Sequence, residues 1–128
     1  MRPILTSLLL SSTLLLGQAA MAAEGGSPFG PEDVKRELVG KVWQVELPNG
    51  AGAVETFRED GTVKITGGLS DRGYWRIWEQ GYCTQWFRMR NGAERCFTLD
   101  RTADGKIRVF KPDGEISMTI LSVEPIKE

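Results

Sequence analysis

The residues able to do chemistry cluster between Gly73 and Cys96. This stretch holds Trp75, Trp78 and Trp86, both tyrosines (Tyr74 and Tyr82), both cysteines, and Arg76, Arg88, Arg90 and Arg95, with no lysine. Rings and guanidinium groups are the composition of binding hot spots, where flat surfaces and forked donors hold a partner. They are poor at turning a substrate over. The chain has no histidine, so it lacks the usual general base and the commonest zinc ligand. Two cysteines joined to each other leave no thiolate for nucleophilic or metal chemistry. No nucleophile elbow, phosphate-cradling loop or dinucleotide fingerprint occurs, and no cofactor is expected.

Paired carboxylates are the one catalytic device left. Glu79, Glu94 and Asp100 flank the central region, and Glu55 lies among apolar neighbours in Ala53-Val54-Glu55-Thr56-Phe57. A glycoside hydrolase needs two such acids roughly 5 to 9 Å apart across a cleft. Solvated strand ends are the simpler reading, so no catalytic residue is assigned. Glu59-Asp60-Gly61 and Asp113-Gly114-Glu115 resemble fragments of calcium loops, but one or two acids fall short of the six to eight oxygens that calcium takes. No metal site is expected.

Alternation sorts the aromatic segment by face. Tyr74, Arg76 and Trp78 share one side of their strand, and Trp75 and Ile77 the other. In the next strand Tyr82, Thr84, Trp86 and Arg88 alternate with Cys83, Gln85, Phe87 and Met89. Neither strand has a clean polar side, unlike most half-wet antiparallel sheets. Trp75, Ile77, Trp86 and Phe97 suit a barrel interior. Tyr74, Arg76, Trp78, Tyr82, Arg88 and Arg90 remain as the candidate ligand- or partner-binding set.

The elements that position these residues are strands. Period-two alternation runs through Trp43-Val45-Leu47, Val63-Ile65, Ile107-Val109 and Ile116-Met118-Ile120. Asn49-Gly50, Asp60-Gly61, Asn91-Gly92, Asp104-Gly105 and Asp113-Gly114 punctuate these runs and supply the positive φ that tight hairpins require. Strands are predicted over 41–47, 52–58, 62–67, 73–79, 82–89, 94–99, 106–111 and 115–122. The connections are too short for parallel crossovers. The expected fold is all-β: an eight-stranded up-and-down meander closing into a small barrel, since closure removes edges. An open curved sheet or small sandwich is the alternative. Pro31 to Leu38 reads as a short helix, with Pro in its first turn, acids behind it and Gly40 beyond.

Cys83 and Cys96 form an even pair with none left over, as in one disulfide of an exported protein. A two-residue turn at Asn91-Gly92 would set them four residues out of register, about 13 Å along the strand. A disulfide needs Cα atoms within about 7 Å. The pairing therefore predicts a broad loop over 88–93 in place of a tight turn.

Export is read from the N-terminus. Arg2, the apolar run Ile4–Leu16 and the small residues Ala19 to Ala23 form a secretory signal peptide over 1–23. The run is shorter than the ~20 residues of a membrane span, so no stable membrane insertion is expected after cleavage. Residues 24–31, EGGSPFGP, read as a flexible leader, and 32–128 as a single barrel domain. Losing Arg2 moves the formal charge from −1 to −2, which gives no reason to expect a nucleic-acid partner.

The order Gly40-x-x-Trp43, Phe57-x-x-Asp60-Gly61-Thr62, Gly73-x-Trp75, Tyr82-Cys83, Trp86, Arg95-Cys96-Phe97 and Asp113-Gly114 resembles an uncharacterised family of small exported proteobacterial proteins with a lipocalin-like (calycin-like) β-barrel. The resemblance covers roughly 38–121 and implies a fold and a periplasmic or secreted location. The expected function is non-catalytic binding of a small molecule or envelope protein, through the aromatic and arginine surface or a shallow barrel mouth. Two alternatives stand beside it: a secreted inhibitor of a protease or lysozyme, and a carboxylate-dependent cell-envelope hydrolase.

Overall fold

The computed structural model describes residues 26–127, so the segment 1–23 read from sequence as a signal peptide lies outside the described residues. A two-residue strand β1 (Ser27–Pro28) and helix α1 (Pro31–Leu38) precede eight longer strands. These are β2 (Lys41–Glu46), β3 (Gly52–Phe57), β4 (Thr62–Gly67), β5 (Asp71–Trp78), β6 (Gly81–Trp86), β7 (Glu94–Arg101), β8 (Ile107–Phe110) and β9 (Ile116–Pro125). Each pairs antiparallel with the next, and β9 returns to pair with β2. The meander is thereby a closed eight-stranded barrel, which leaves none of these strands an open edge.

Four of the expected turns share one construction. Leu47 pairs across to Ala51, Arg58 to Thr62, Thr102 to Lys106 and Lys111 to Glu115, each closing a three-residue loop. Only the glycine of each pair takes positive φ, near 90° at Gly50, Gly61, Gly105 and Gly114. The preceding Asn or Asp instead accepts the N–H two residues on, as Asn49 does from Ala51 at 2.9 Å. The loops are thus type I turns closed by a glycine bulge.

The interior is filled by side chains. Trp43 and Val45 from β2 meet Phe57, Val63, Ile65, Tyr82, Trp86, Phe97 and Leu99, all nearly solvent-free. Tyr82 lies at the centre, with ring centroids 5.5 Å from Trp43, 5.7 Å from Phe57 and 5.2 Å from Phe97. α1 plugs one end. Its Val34 and Leu38 are fully buried, and its last turn presents the Glu37 carbonyl, which accepts the Trp43 indole N–H at 2.6 Å. That bond satisfies an otherwise orphaned helix carbonyl. Arg101 of β7 reaches Glu37 at 2.8 Å and fastens the helix from a second side.

The leader differs from the expectation of a flexible segment. Ser27 and Pro28 pair with Arg101 and Asp100, Phe29 is 4% exposed in the core, and its N–H donates to the Leu99 carbonyl at 2.9 Å. A phenylalanine that can be buried outweighs the Gly and Pro around it, because full burial of such a side chain stabilises by about 2 kcal/mol.

Cys83 and Cys96 are directly opposite in the β6–β7 register and form a disulfide, with Cα atoms 3.9 Å apart. The last pair of that ladder is Gln85 with Glu94, and a 3₁₀ turn over Met89–Gly92 lies within the connection. The broad loop is present and the tight Asn-Gly turn is not. Replacing both cysteines by alanine is expected to cost about 3 kcal/mol, from the entropy a short closed loop removes from the unfolded chain. Urea unfolding with and without reductant measures this. An unmoved midpoint would mean that the ladder alone fixes the register.

Candidate ligand site at the barrel mouth

The end opposite α1 is open, and a cavity of about 120 Å3 sits there between Leu47, Ile65, Trp86, Met89, Phe97 and Met118. Two charged side chains enter this apolar setting. Glu55 comes from the middle of β3, paired with Trp43 on one side and Ile65 on the other, and is 3% exposed. Its neighbours on the same face, Ala53 and Phe57, are core residues, so strand alternation alone drives the carboxyl inward. Arg90 comes from the β6–β7 loop, which folds back over the opening. Its Nη2 donates to the Thr84 hydroxyl at 3.2 Å, and its guanidinium lies 5.8 Å from the centre of the Phe97 ring.

Both groups are short of partners. Glu55 Oε1 and Arg90 Nε are buried without a hydrogen bond among the described residues. An unmatched buried polar atom costs roughly 1–3 kcal/mol. Burial raises the Glu55 midpoint from its ordinary value to about 7, opposed by the Arg90 charge. Burial likewise lowers Arg90, with Arg95 acting in the same direction, while Tyr82 and Glu55 act to raise it. Tyr82 is held well above its ordinary value, first by burial and then by the Glu55 charge. The mouth therefore carries the Arg90 guanidinium, near enough to Arg95 to be acted on by its charge, and a carboxyl that keeps its proton up to near neutrality.

The loop that carries Arg90 is backbone-strained and tightly held. Arg90 and Asn91 are both in the left-handed region, with φ of 55° and 53°. Non-glycine residues there cost about 1–2 kcal/mol each. Asp71 at the start of β5 offsets this. Its buried carboxylate accepts from the backbone N–H groups of Arg88 at 3.0 Å and Met89 at 2.8 Å, besides that of Arg72. Burial pushes the Asp71 carboxyl up, but these three donors and Arg88 outweigh it and hold it below the ordinary value. Gln85 Nε2 also donates to the Gly92 carbonyl at 3.0 Å. The guanidinium is positioned over the cavity before anything binds.

The six residues singled out from sequence do not form one surface. The β5–β6 register pairs Ile77 with Tyr82 and Trp75 with Thr84. Tyr82, Thr84 and Trp86 thus face inward with Trp75 and Ile77, while Tyr74, Arg76 and Trp78 face outward. Tyr82 is fully buried. Arg76 makes a bidentate pair with Glu94 on the outer wall, at 2.9 Å on both bonds. Tyr74 is 54% exposed and meets Phe87 edge-on at 5.7 Å. Arg88 lies outside, donating to the Ser70 carbonyl at 2.6 Å. Tyr82 and Arg90 alone line the mouth.

Comparison of the chain with protein-family models, curated proteins and solved structures returned no match. The barrel is compatible with a lipocalin-like fold on its own geometry, as eight antiparallel strands closing between β9 and β2.

The four acids considered for hydrolysis are also dispersed. Glu55 is in the mouth, Glu79 in the β5–β6 turn, Glu94 on Arg76, and Asp100 on Arg108 at 2.6 Å. Cys83, Cys96 and Glu94 place ligand-type atoms within 4.8 Å of one another. With the cysteines joined, that cluster offers one carboxylate and no thiolate. Among the described residues no helix is long and apolar enough to cross a membrane. Thr84 and Met89 had no functional signal in the sequence. Glu55 had one: an acid at an apolar position of an alternating strand.

Proposed function

We propose that this protein is an exported, non-catalytic binding protein that takes a small amphiphilic carboxylate into the mouth of its barrel. One observation supports this above all: Glu55 Oε1 and Arg90 Nε are buried and unpartnered beside the same apolar cavity. Below pH 7 the Glu55 carboxyl is protonated and donates its O–H. Arg90 Nε–H is a second donor, and one carboxylate accepts from both. Arg95 adds attraction for the same charge. The ligand's short apolar part lies against Ile65, Met89 and Met118, and the volume limits it to a few carbon atoms. The signal sequence and the disulfide support a periplasmic or secreted location. That location is the one implied by the resemblance to small exported proteobacterial barrels. The loop bearing Arg90 folds inward over the mouth, which favours this reading over a protruding inhibitory loop.

Butyrate is a suitable probe. Calorimetry at pH 6 is expected to show saturable binding that weakens as pH rises through 7, as Glu55 ionises and repels the ligand. Arg90→Gly removes the guanidinium at a backbone conformation glycine adopts freely and is expected to abolish binding. Glu55→Gln keeps a donor, so binding should survive and lose its pH dependence. Binding that strengthens with pH, or is indifferent to Arg90→Gly, would refute the reading.

A further inference from the structure

The outer wall carries a second feature that the mouth does not use. Lys64 on β4 and Arg72 on β5 are directly opposite in the ladder, both exposed. Neither has an ion-pair partner among the described residues. Like charges in facing positions are destabilising, and a sheet with free choice would set an acid in one of them. Phe87 continues the same row, its N–H donating to the Arg72 carbonyl at 2.8 Å, and is 60% exposed. Tyr74 stands beside it, edge to ring. Arg88 follows, with 76% of its side chain in solvent and its Nε 3.8 Å from the buried Asp71 carboxylate. Two adjoining hollows of about 600 and 390 Å3 share Lys64, Arg72 and Phe87. Together they form a groove along the β4 and β5 strands, about 13 Å long from Thr62 to Thr66.

We infer that this groove binds an anionic sugar chain, one whose rings carry carboxylate or phosphate groups. Charge complementarity gives the sign: Lys64 and Arg72 face solvent without an ion-pair partner among the described residues, while the acid lining the groove, Asp71, is buried, held by backbone N–H groups and 3.8 Å from the exposed Arg88 guanidinium. The exposed rings of Phe87 and Tyr74 provide flat apolar faces for sugar rings. The hydroxyls of Thr62, Thr66 and Ser70 border the groove as hydrogen-bond partners. A protein partner fits less well, because protein hot spots centre on anchors in deep, desolvated pockets. This groove is shallow and ringed by charge. Protection of the cations by a bound polyanion would also relieve the Lys64–Arg72 repulsion.

The test uses the mature protein with four probes at low ionic strength: tetragalacturonate, a phosphorylated dextran oligomer, neutral maltotetraose and tetraglutamate. Tetragalacturonate or the phosphodextran is expected to bind, at least tenfold more weakly in 0.5 M salt. Whichever binds identifies carboxylate or phosphate as the source of charge. Lys64→Glu with Arg72→Glu should weaken it at least tenfold, and Phe87→Ala several-fold. The folding midpoint should be unchanged in both variants, because these side chains are exposed, and butyrate binding at the mouth should persist. Four results would overturn the inference: no saturable binding of either charged sugar, equal binding of maltotetraose, equal binding of tetraglutamate, or indifference to Lys64→Glu/Arg72→Glu.

Discussion

Glu55→Gln is expected to raise folding stability at pH 8 by up to about 3 kcal/mol and to leave it almost unchanged at pH 4. The unfolded chain ionises Glu55 near the ordinary value of 4.5, whereas the folded chain holds the proton to about 7. A raised carboxyl binds its proton more tightly when folded, so its contribution is fully present at acid pH. Stability then falls as pH rises from 4.5 to 7 and reaches its full loss above 7. An interval of that width corresponds to about 3 kcal/mol. Glutamine fills the same space without a charge, so the variant escapes the loss. Urea unfolding at half-unit pH steps measures the difference between the two proteins. It should open between pH 5 and 7 and then stay constant. A variant less stable than wild type at pH 8 would show that the ionised carboxylate is well compensated, leaving no orphaned atom for a ligand. Natural proteins retain costly groups of this sort at functional sites more often than in plain cores.

Gly81→Ala is expected to destabilise the barrel by at least about 4 kcal/mol, enough to leave much of the chain unfolded at 37 °C. A Cβ built on Gly81 lies 1.7 Å from the Phe97 carbonyl oxygen, a backbone atom that cannot swing aside. Gly73 is constrained in the same way, with its Cβ position 2.2 Å from the Gln85 carbonyl. The two glycines lie at the two ends of the β5–β6 ladder, Gly81 pairing with Trp78 and Gly73 with Trp86. Close backbone approach at such points lets a sheet coil tightly enough to close. Circular dichroism melting reads the effect directly. A variant melting within a few degrees of wild type would mean that β6 and β7 separate easily, which the Cys83–Cys96 bond beside them opposes.

Much of this architecture is legible in the chain because its turns are chemically explicit. Asp and Asn before Gly mark four hairpins, and alternation fills the intervals. The pairing of Cys83 with Cys96 even corrected the fifth signal, since a bridge and a tight turn at Asn91-Gly92 exclude each other. What stayed hidden lay where local chemistry is silent. The β5–β6 turn rests on Glu79, which takes φ of 48° without a glycine to announce it. That two-residue turn sets which side of β6 matches which side of β5, and so sends Tyr82 inward and leaves Arg76 outside. Phe29 sits among glycines and prolines that read as linker, although its ring belongs to the core. Arg90 was legible as a candidate by type. Its aim into the mouth depends on left-handed backbone held by Asp71, nineteen positions earlier, and no local pattern encodes such a contact.

The proposed binding depends on a protonated carboxyl waiting in the barrel mouth beside Arg90. Carbon-13 NMR of the Glu55 carboxyl, titrated in the folded protein with and without saturating butyrate, tests it most directly. The predicted midpoint is near 7 in the free protein and higher with butyrate bound, because the ligand's charge favours the protonated form. A midpoint between 4 and 5, unmoved by butyrate, would contradict it.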